Sequence, residues 1–503
     1  MNSIPEILQA NTKRWPDREA LVWSRGPRDF SLSFSELAAS AEAFAENLLT
    51  RGLARGDRAL VFVPMSASLY IALLGLFRIG ATAVFVDPSA GISHINLCCQ
   101  RLSPRALIAV RPLRFVKPFV SGLRRVPLLF HPPVKSPPSS CGADFPAPDD
   151  PALITFTSGS TGEPKAAVRS HRFLMAQHVA LADAINLEAG ERDLTTLPVF
   201  VLANLASGVT SLLPDAKISR PGFIDAGRVA AQVRRLAPTR TGGSPAFYER
   251  LANVPGSLTS FKKLYTGGAP VFPSLLEKLA AQSPRTALVS VYGSTEAEPI
   301  AHIDTTEIHD VDWHHMKNGG GLLAGKPVPQ IRVLILPDQW GRPITLATPL
   351  DPGQTGEILV TGNHVLKGYL DGVGDETTKV QLAGEIWHRT GDAGTWDESG
   401  RLWLQGRCSA RITDSRGTLY PFTVECAASR FVSRSALVSH KGLRILLIES
   451  QSPPPDSHTL SAALAWAQID RILTVKKIPV DSRHNAKIQY AALAKLLNRL
   501  GEI

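Results

Sequence analysis

An α/β fold of layered, largely parallel sheets is what this sequence predicts, in a chain long enough for two or more domains. Three observations carry that expectation. The chain has 503 residues, more than one compact core accommodates. Its first 130 or so residues alternate strand-like and helix-like stretches, separated by glycine- and aspartate-bearing turns. A short apolar run, Ala152 to Phe156, leads straight into a loop of glycines and hydroxyls, a setting that suits polyphosphate.

Taken in order, Ser35 to Leu49 has apolar residues at helical spacing, with Ser35 as the expected N-cap. Gly56-Asp57-Arg58 marks a turn into a buried-type strand, Ala59 to Val63. Tyr70 to Phe77 reads as helix and Ala83 to Val86 as a strand ending at Asp87-Pro88. His131 to Pro151, dense in Pro, Ser and Asp, is an exposed connector. After the loop, Ala166 to Val168 and His171 onward read as the start of a helix. Leu197 to Gly208 is a strand-to-helix junction, and Pro221 to Arg235 is loop plus amphipathic helix. Gly242-Gly243-Ser244-Pro245 opens the next helical segment, and Leu264 to Pro270 begins as a strand. Arg332 to Leu336 and Gly356 to Thr361 read as β-structure, and the tail from Tyr490 as helix. No internal repeat of fixed period is apparent.

Bulk composition is that of an ordinary soluble chain, with 44% hydrophobic and 19% charged residues. The five cysteines (Cys98, Cys99, Cys141, Cys408, Cys426) show no metal-ligand spacing, and their odd number suggests free thiols in a reducing compartment. The start lacks the basic end and apolar core of a signal peptide. Ser66 to Val86, the most apolar stretch, is interrupted by Arg78 and reads as a buried helix and strand, so no transmembrane segment is expected. The net charge of +10 suits an anionic nucleotide, CoA or a membrane surface, so peripheral membrane contact stays compatible with the sequence. No nucleic-acid motif accompanies it. Cytoplasmic location is the expectation, and oligomeric state is left open.

Thr157 to Lys165 reads TSGSTGEPK. Gly159 and Gly162 let the backbone approach an anion without a Cβ in the way. Ser158, Ser160 and Thr161 offer hydroxyl donors, and Lys165 a positive charge. The spacing is not that of a Walker A loop. A Ser/Gly-rich surface turn is the plain alternative. Farther on, Gly267, Gly268 and Ala269 would let a flat base lie against backbone, although Gly-Gly alone is usually only a turn. In the string Tyr292-Gly293-Ser294-Thr295-Glu296, the ring of Tyr292 can stack on adenine, Thr295 can bond an α-phosphate and Glu296 can hold magnesium. Asp392 can accept from two ribose hydroxyls, and Arg407 can fork onto ribose or phosphate oxygens.

These strings, in this order from about residue 15 to about residue 490, resemble the adenylate-forming superfamily of acyl-CoA synthetases, luciferases and peptide-synthetase adenylation domains. The resemblance implies a large N-terminal domain of several subdomains, 1–408, with layered mostly parallel sheets and a β-structured subdomain. A small mobile α+β domain, 409–503, would follow. It implies a hinge at Ser409, where the family usually has Asp or Lys, and a catalytic lysine at Lys487. Glu296 and Thr161 would join Lys487 in catalysis, with ATP and Mg2+ as cofactors and a carboxylic acid as substrate.

Several strings resemble more narrowly the β-lactone synthetases of bacterial olefin biosynthesis: VDPSAGI from Val86, PVFVLANLASG from Pro198, GRLWLQGR with Ser409, TLYPFTVE and PVDSRHNAKI. That resemblance implies a 3-hydroxy acid whose own hydroxyl displaces AMP. The loop from Arg411 to Glu425 departs from the loop that helps build the CoA ligases' thiol tunnel, yet CoA thioester formation stays the rival reading. A degenerate nucleotide- or acyl-binding protein is the third, disfavoured by the presence of Lys487, Glu296 and Asp392. Phe200, Asn204 and Ser244 are the expected acyl-pocket residues.

Overall fold

The computed structural model describes residues 3–137, 139, 141–157, 164–345, 347–451, 455–481 and 487–499. Two large sheets organise them. The first runs, in spatial order, Leu128–Phe130, Ala106–Ala109, Arg58–Phe62, Thr82–Phe85, Pro151–Thr157 and Lys165–Ser170. Its neighbours are parallel except for the last pair, an antiparallel hairpin. The second starts at the Arg28–Ser33 edge, hairpinned to Glu19–Arg25. It continues in parallel through Thr210–Leu213, Arg192–Thr195, Arg240–Gly243, Lys263–Gly267 and Ala287–Ser294. There it turns antiparallel, through Ala297–Asp304, Leu322–Pro327, Leu402–Arg407, Glu385–Trp396, Gly356–Gly362 and Ile331–Leu336. Layered parallel sheets passing into a β-structured part are as the sequence predicts.

Local detail corrects two expectations. The helix Phe34–Thr50 is capped by Ser33, not Ser35: the Ser33 hydroxyl accepts from the Glu36 amide and the Glu36 carboxylate accepts from the Ser33 amide. That reciprocal pair satisfies two end donors, which Ser35 cannot do from inside the first turn. Ala166 to Val168 is strand, not helix. Lys165–Ser170 pairs with Pro151–Thr157, and the helix begins only at His171, capped by the Ser170 hydroxyl. The ladder satisfies the backbone of this segment, and pairing overrides the modest helix preference of two alanines.

Residues after Leu402–Arg407 form a smaller assembly. A turn at Cys408–Ala410 leads to the hairpin Ile412–Asp414 and Gly417–Leu419, the helix Pro421–Ala428, and a sheet of Ser435–His440, Leu443–Glu449 and Arg471–Val475. Its two apolar clusters centre on Val424, Leu437, Leu446 and Leu460, and on Ile445, Leu447, Leu493 and Leu497. Phe422 and Cys426 instead join the core of the second large sheet, with Phe422 edge-on to Phe272. All five cysteines are free and buried, and among the described residues no helix is long and apolar enough to cross a membrane.

One buried ion pair joins the strand that carries Asp392 to its neighbour Gly356–Gly362. Arg389, on Glu385–Trp396, meets Glu357 through two contacts of 2.7 Å, with both side chains almost fully buried. Replacing one partner leaves a stranded charge. Arg389→Met is expected to lose about 3–5 kcal/mol of unfolding free energy. Adding Glu357→Met should recover most of it, as read by denaturant unfolding of the two variants.

Candidate active site

Three strands of the second sheet bring their side chains together near its passage from parallel to antiparallel pairing. Tyr292 lies near the end of Ala287–Ser294, and Asp392 and Arg407 are register partners on neighbouring strands. The Tyr292 hydroxyl donates to Asp392 Oδ2 at 2.8 Å, while Arg407 lies 3.2 Å from Asp392 Oδ1. Burial, with the Asp392 charge behind it, raises the Tyr292 pKa well above the usual phenol value, so the hydroxyl stays a donor. Asp392 raises the Arg407 pKa in turn. Tyr292, Asp392 and Arg407 therefore share one crevice, with the Tyr292 ring held by its own hydroxyl.

Beside Tyr292, Gly267 ends the neighbouring parallel strand opposite Val291. A Cβ on Gly267 would lie 2.6 Å from the Val291 carbonyl oxygen, so close strand approach alone already requires glycine there. Gly268 (φ +79°) and Ala269 carry the chain away, partly exposed.

Thr295 and Glu296 form the link between Ala287–Ser294 and Ala297–Asp304, one residue pair beyond Gly293 and Ser294. The Thr295 carbonyl accepts from Arg169 at 2.7 Å. Glu296 Oε1 accepts from the Tyr369 hydroxyl at 2.7 Å. Burial opposes a charge on Glu296, yet His388, the Tyr369 hydroxyl and Lys379 outweigh it and hold its pKa at about 2. His388 is itself pushed down to about 3 by burial and by Lys379, so at neutral pH the cation facing Glu296 is Lys379. Burial lowers Lys379 to about 8, and Glu296 opposes that shift. Lys165 completes the group: it is buried, 3.3 Å from Thr377 Oγ1 and over the Tyr369 ring.

A half-buried carboxylate held well below the usual carboxylate range suits a magnesium ion, which takes one or two carboxylates and completes its shell with phosphate oxygens and water. Among the described residues, no group of three or more His, Cys, Asp or Glu is placed to hold a metal by itself.

Thr157 ends its strand opposite Lys165. Ser158, Gly159, Ser160, Thr161 and Gly162 lie outside the described residues. Lys487 is described: its amide donates to Asp481 at 2.9 Å, and its carbonyl accepts from the Asp481 amide. Burial and the Arg407 guanidinium lower its pKa, while Asp481, Asp392 and Glu296 oppose them. The lysine of the last segment thus faces the same charges as the crevice. Ser409 is exposed in its short turn.

Of the expected pocket residues, Phe200 and Asn204 lie on the helix Pro198–Ser207 and Ser244 precedes the helix Pro245–Leu251. Asn204 is fully buried and donates to Asp193 at 2.8 Å and Ser211 at 3.0 Å, which makes it a core residue. Phe200 packs on Gly242, where a Cβ would lie 2.7 Å from its ring. The Ser244 hydroxyl is buried and has no protein partner among the described residues. An apolar cavity lies on the other face of the Pro198–Ser207 helix, among Ile7, Leu74, Leu174, Val199, Leu202 and Ala203. Positions 200 and 204 are one helical turn apart and face away from it.

Sequence reasoning missed Arg169, Glu298, Tyr369, Lys379, His388 and Glu425. Tyr369 follows Lys367-Gly368 and His388 lies four residues before Asp392, but nothing in those local strings says that they meet Glu296. Burial raises Glu298, which faces Arg169 and Lys487. Glu425 Oε1 accepts from the Leu437 amide at 3.0 Å and from the Tyr490 hydroxyl at 3.1 Å. This ties the helix after Lys487 to Pro421–Ala428.

The description "AMP-binding enzyme" is that of the family model matching residues 8–370. An olefin beta-lactone synthetase from Stenotrophomonas maltophilia is 31% identical over 96% of this chain and 94% of its own length. A 2-succinylbenzoate–CoA ligase from Bacillus licheniformis is 28% identical over 95% of this chain and 91% of its own. Among solved structures, ATP-bound MatB from Rhodopseudomonas palustris superposes with a TM-score of 0.83 at 19% identity, each chain covered fully.

Glu425 gives a pH signature. Burial raises its pKa to about 7 from an ordinary 4.5, and Oε2 has no partner among the described residues, which leaves room for the proton. The folded state holds a proton that the unfolded chain releases, so stability falls as pH rises from 4.5 to about 7, by ~3 kcal/mol in all. Glu425→Gln keeps an acceptor for Tyr490 and stays neutral. Its melting temperature, relative to the parent, should rise between pH about 5 and about 8; an unchanged difference would remove Glu425 as the titrating group.

Proposed function

The chain belongs to the AMP-binding enzyme family, and from that premise we propose that this AMP-forming ligase activates a 3-hydroxy fatty acid and then closes it to a β-lactone. The observation that carries the second half is the 31% identity with an olefin beta-lactone synthetase along nearly the whole chain. The first half rests on the crevice itself.

In the first step a carboxylate oxygen attacks the α-phosphorus of ATP and pyrophosphate leaves. Two anions must be brought in line and the growing charge balanced, which is positioning and electrostatics more than covalent chemistry. Asp392 and Arg407 would receive the ribose, with Tyr292 against the base and Gly267, Gly268 and Ala269 behind it. Thr295 and the 157–165 loop, with Thr161, would hold the phosphates. Magnesium on Glu296 would neutralise phosphate charge when bound. Lys487 would place its ammonium against the reacting carboxylate and α-phosphate. A boundary at 408/409, with Ser409 as hinge, would let the small domain bring Lys487 in and take it away.

In the second step the substrate's 3-hydroxyl oxygen attacks the acyl carbon, the bond from acyl carbon to AMP oxygen breaks, and the hydroxyl proton is lost to solvent or to a nearby base. No external acceptor enters, which agrees with the altered Arg411–Glu425 segment. Transfer to CoA is the second reading, favoured by the likeness to the Bacillus ligase.

Lys487→Ala is expected to lower acid-dependent pyrophosphate release by about two to three orders of magnitude. A near-normal rate would take Lys487 out of the mechanism. A 3-hydroxy fatty acid, ATP and magnesium should yield AMP and lactone without CoA, as identified by mass spectrometry. Strict CoA dependence with a thioester product would assign the chain to the ligase reading, and no pyrophosphate exchange with any carboxylic acid would withdraw both.

A further inference from the structure

Between Asp87 and Asp144 the sequence contains no Asp or Glu. This segment builds one flank of the first sheet: the helix Ile92–Leu102, the short turns Leu113–Val116, Lys117–Phe119 and Ser121–Arg124, and two strands. Its inner side is ordinary core, with Ile95, Cys98, Leu102, Val120, Leu123 and Val126 buried together. Its outer side is not ordinary. Phe119 is 86% exposed and Phe115 64%, with Val116 and Val110 also exposed nearby.

Ile92 and Leu97 add two more exposed apolar side chains from the adjoining helix. The Gly122 amide donates to Asn96 Oδ1 at 2.8 Å, which docks the turns onto that helix. Ile92, one turn before Asn96, points the same way. Cations rim these groups: Arg111, Arg114, Arg124 and Arg125 are exposed and Lys117 is half-buried. Arg114 lies over the Phe115 ring at 4.6 Å. Among the described residues, none of the five is ion-paired.

We propose that the 92–125 flank, with Phe115 and Phe119 at its tip, is a docking surface for an anionic lipid bilayer. Large apolar side chains with uncompensated Arg and Lys around them match an interface whose headgroups are negative and whose carbon lies a few ångström deeper. A protein partner would have to supply carboxylates and an apolar cleft together. The bilayer offers both along one direction, so charge complementarity and the exposed phenyl rings select it. Arg101 of the same flank does reach the Pro164 carbonyl beside the phosphate loop, but Phe115, Phe119, Arg124 and Arg125 have no part in the Tyr292–Asp392–Arg407 crevice, so binding can be read separately from the activity proposed above.

The experiment is co-sedimentation of the full chain with vesicles of phosphatidylcholine, with and without phosphatidylglycerol, in the absence of ATP and acid. Binding is expected only with phosphatidylglycerol and should weaken with salt. Phe115→Ser with Phe119→Ser, and separately Arg124→Glu with Arg125→Glu, should each weaken it by about tenfold or more. Both pairs should retain the parent melting temperature and acid-dependent pyrophosphate release in solution. No binding by the parent protein, or binding that neither pair alters, would overturn the assignment. A self-association in solution that the Phe pair abolishes, without vesicle binding, would give the face to a second copy of the chain and equally overturn it.

Discussion

The site depends on one carboxylate held from two sides. Asp392 takes the Tyr292 hydroxyl from the last parallel strand and faces Arg407 across an antiparallel pair. Between those strands the sheet passes from parallel to antiparallel pairing, and Leu322–Pro327 and Ala297–Asp304 lie between them in the strand order. The residues are far apart in sequence because each comes from a different strand meeting the crevice.

Charge in the neighbouring group follows from the same geometry. Glu296 occupies a tight connection and would be expected to take up a proton on burial. Tyr369 and Lys379 keep it ionised, and both reach it from segments after residue 365. Burial lowers Lys379 to about 8, and the Glu296 charge opposes that shift. An arrangement that keeps one half-buried carboxylate charged with a weakened lysine serves structure poorly by itself. It makes sense where a further cation and a polyphosphate are to be accommodated.

Much of this was legible in the sequence because short strings carry short-range physics. Alternation of apolar runs with Gly and Asp turns gave the layered sheets, and Tyr292, Asp392 and Arg407 fall together as expected. What was not legible depends on register. That Tyr369 reaches Glu296, or that Arg389 needs Glu357, follows from pairing across many intervening residues. Side-chain direction on the Pro198–Ser207 helix was likewise not legible: it turns positions 200 and 204 toward Asp193 and Gly242, and its other face toward the apolar cavity. The Ser33 cap was missed because a two-residue shift leaves the hydrophobic period nearly unchanged.

The helix Pro421–Ala428 bears on how the two halves of the reaction are linked. It carries Phe422 and Cys426 into the large core, yet Val424 and Ala427 into the small one, and Glu425 ties it to Tyr490, three residues beyond Lys487. A rotation at Ser409, the proposed hinge, that carried Lys487 away from the crevice would therefore require Phe422 to leave Phe272. Exposing one such ring costs roughly 1.5–3 kcal/mol, small enough to be reversible and large enough to favour the docked arrangement. An enzyme that must admit a bulky thiol between steps gains from leaving that arrangement. One whose second nucleophile already belongs to the bound substrate, as proposed above, would not, and the Glu425–Tyr490 contact that ties the lysine segment to Pro421–Ala428 is compatible with that proposal.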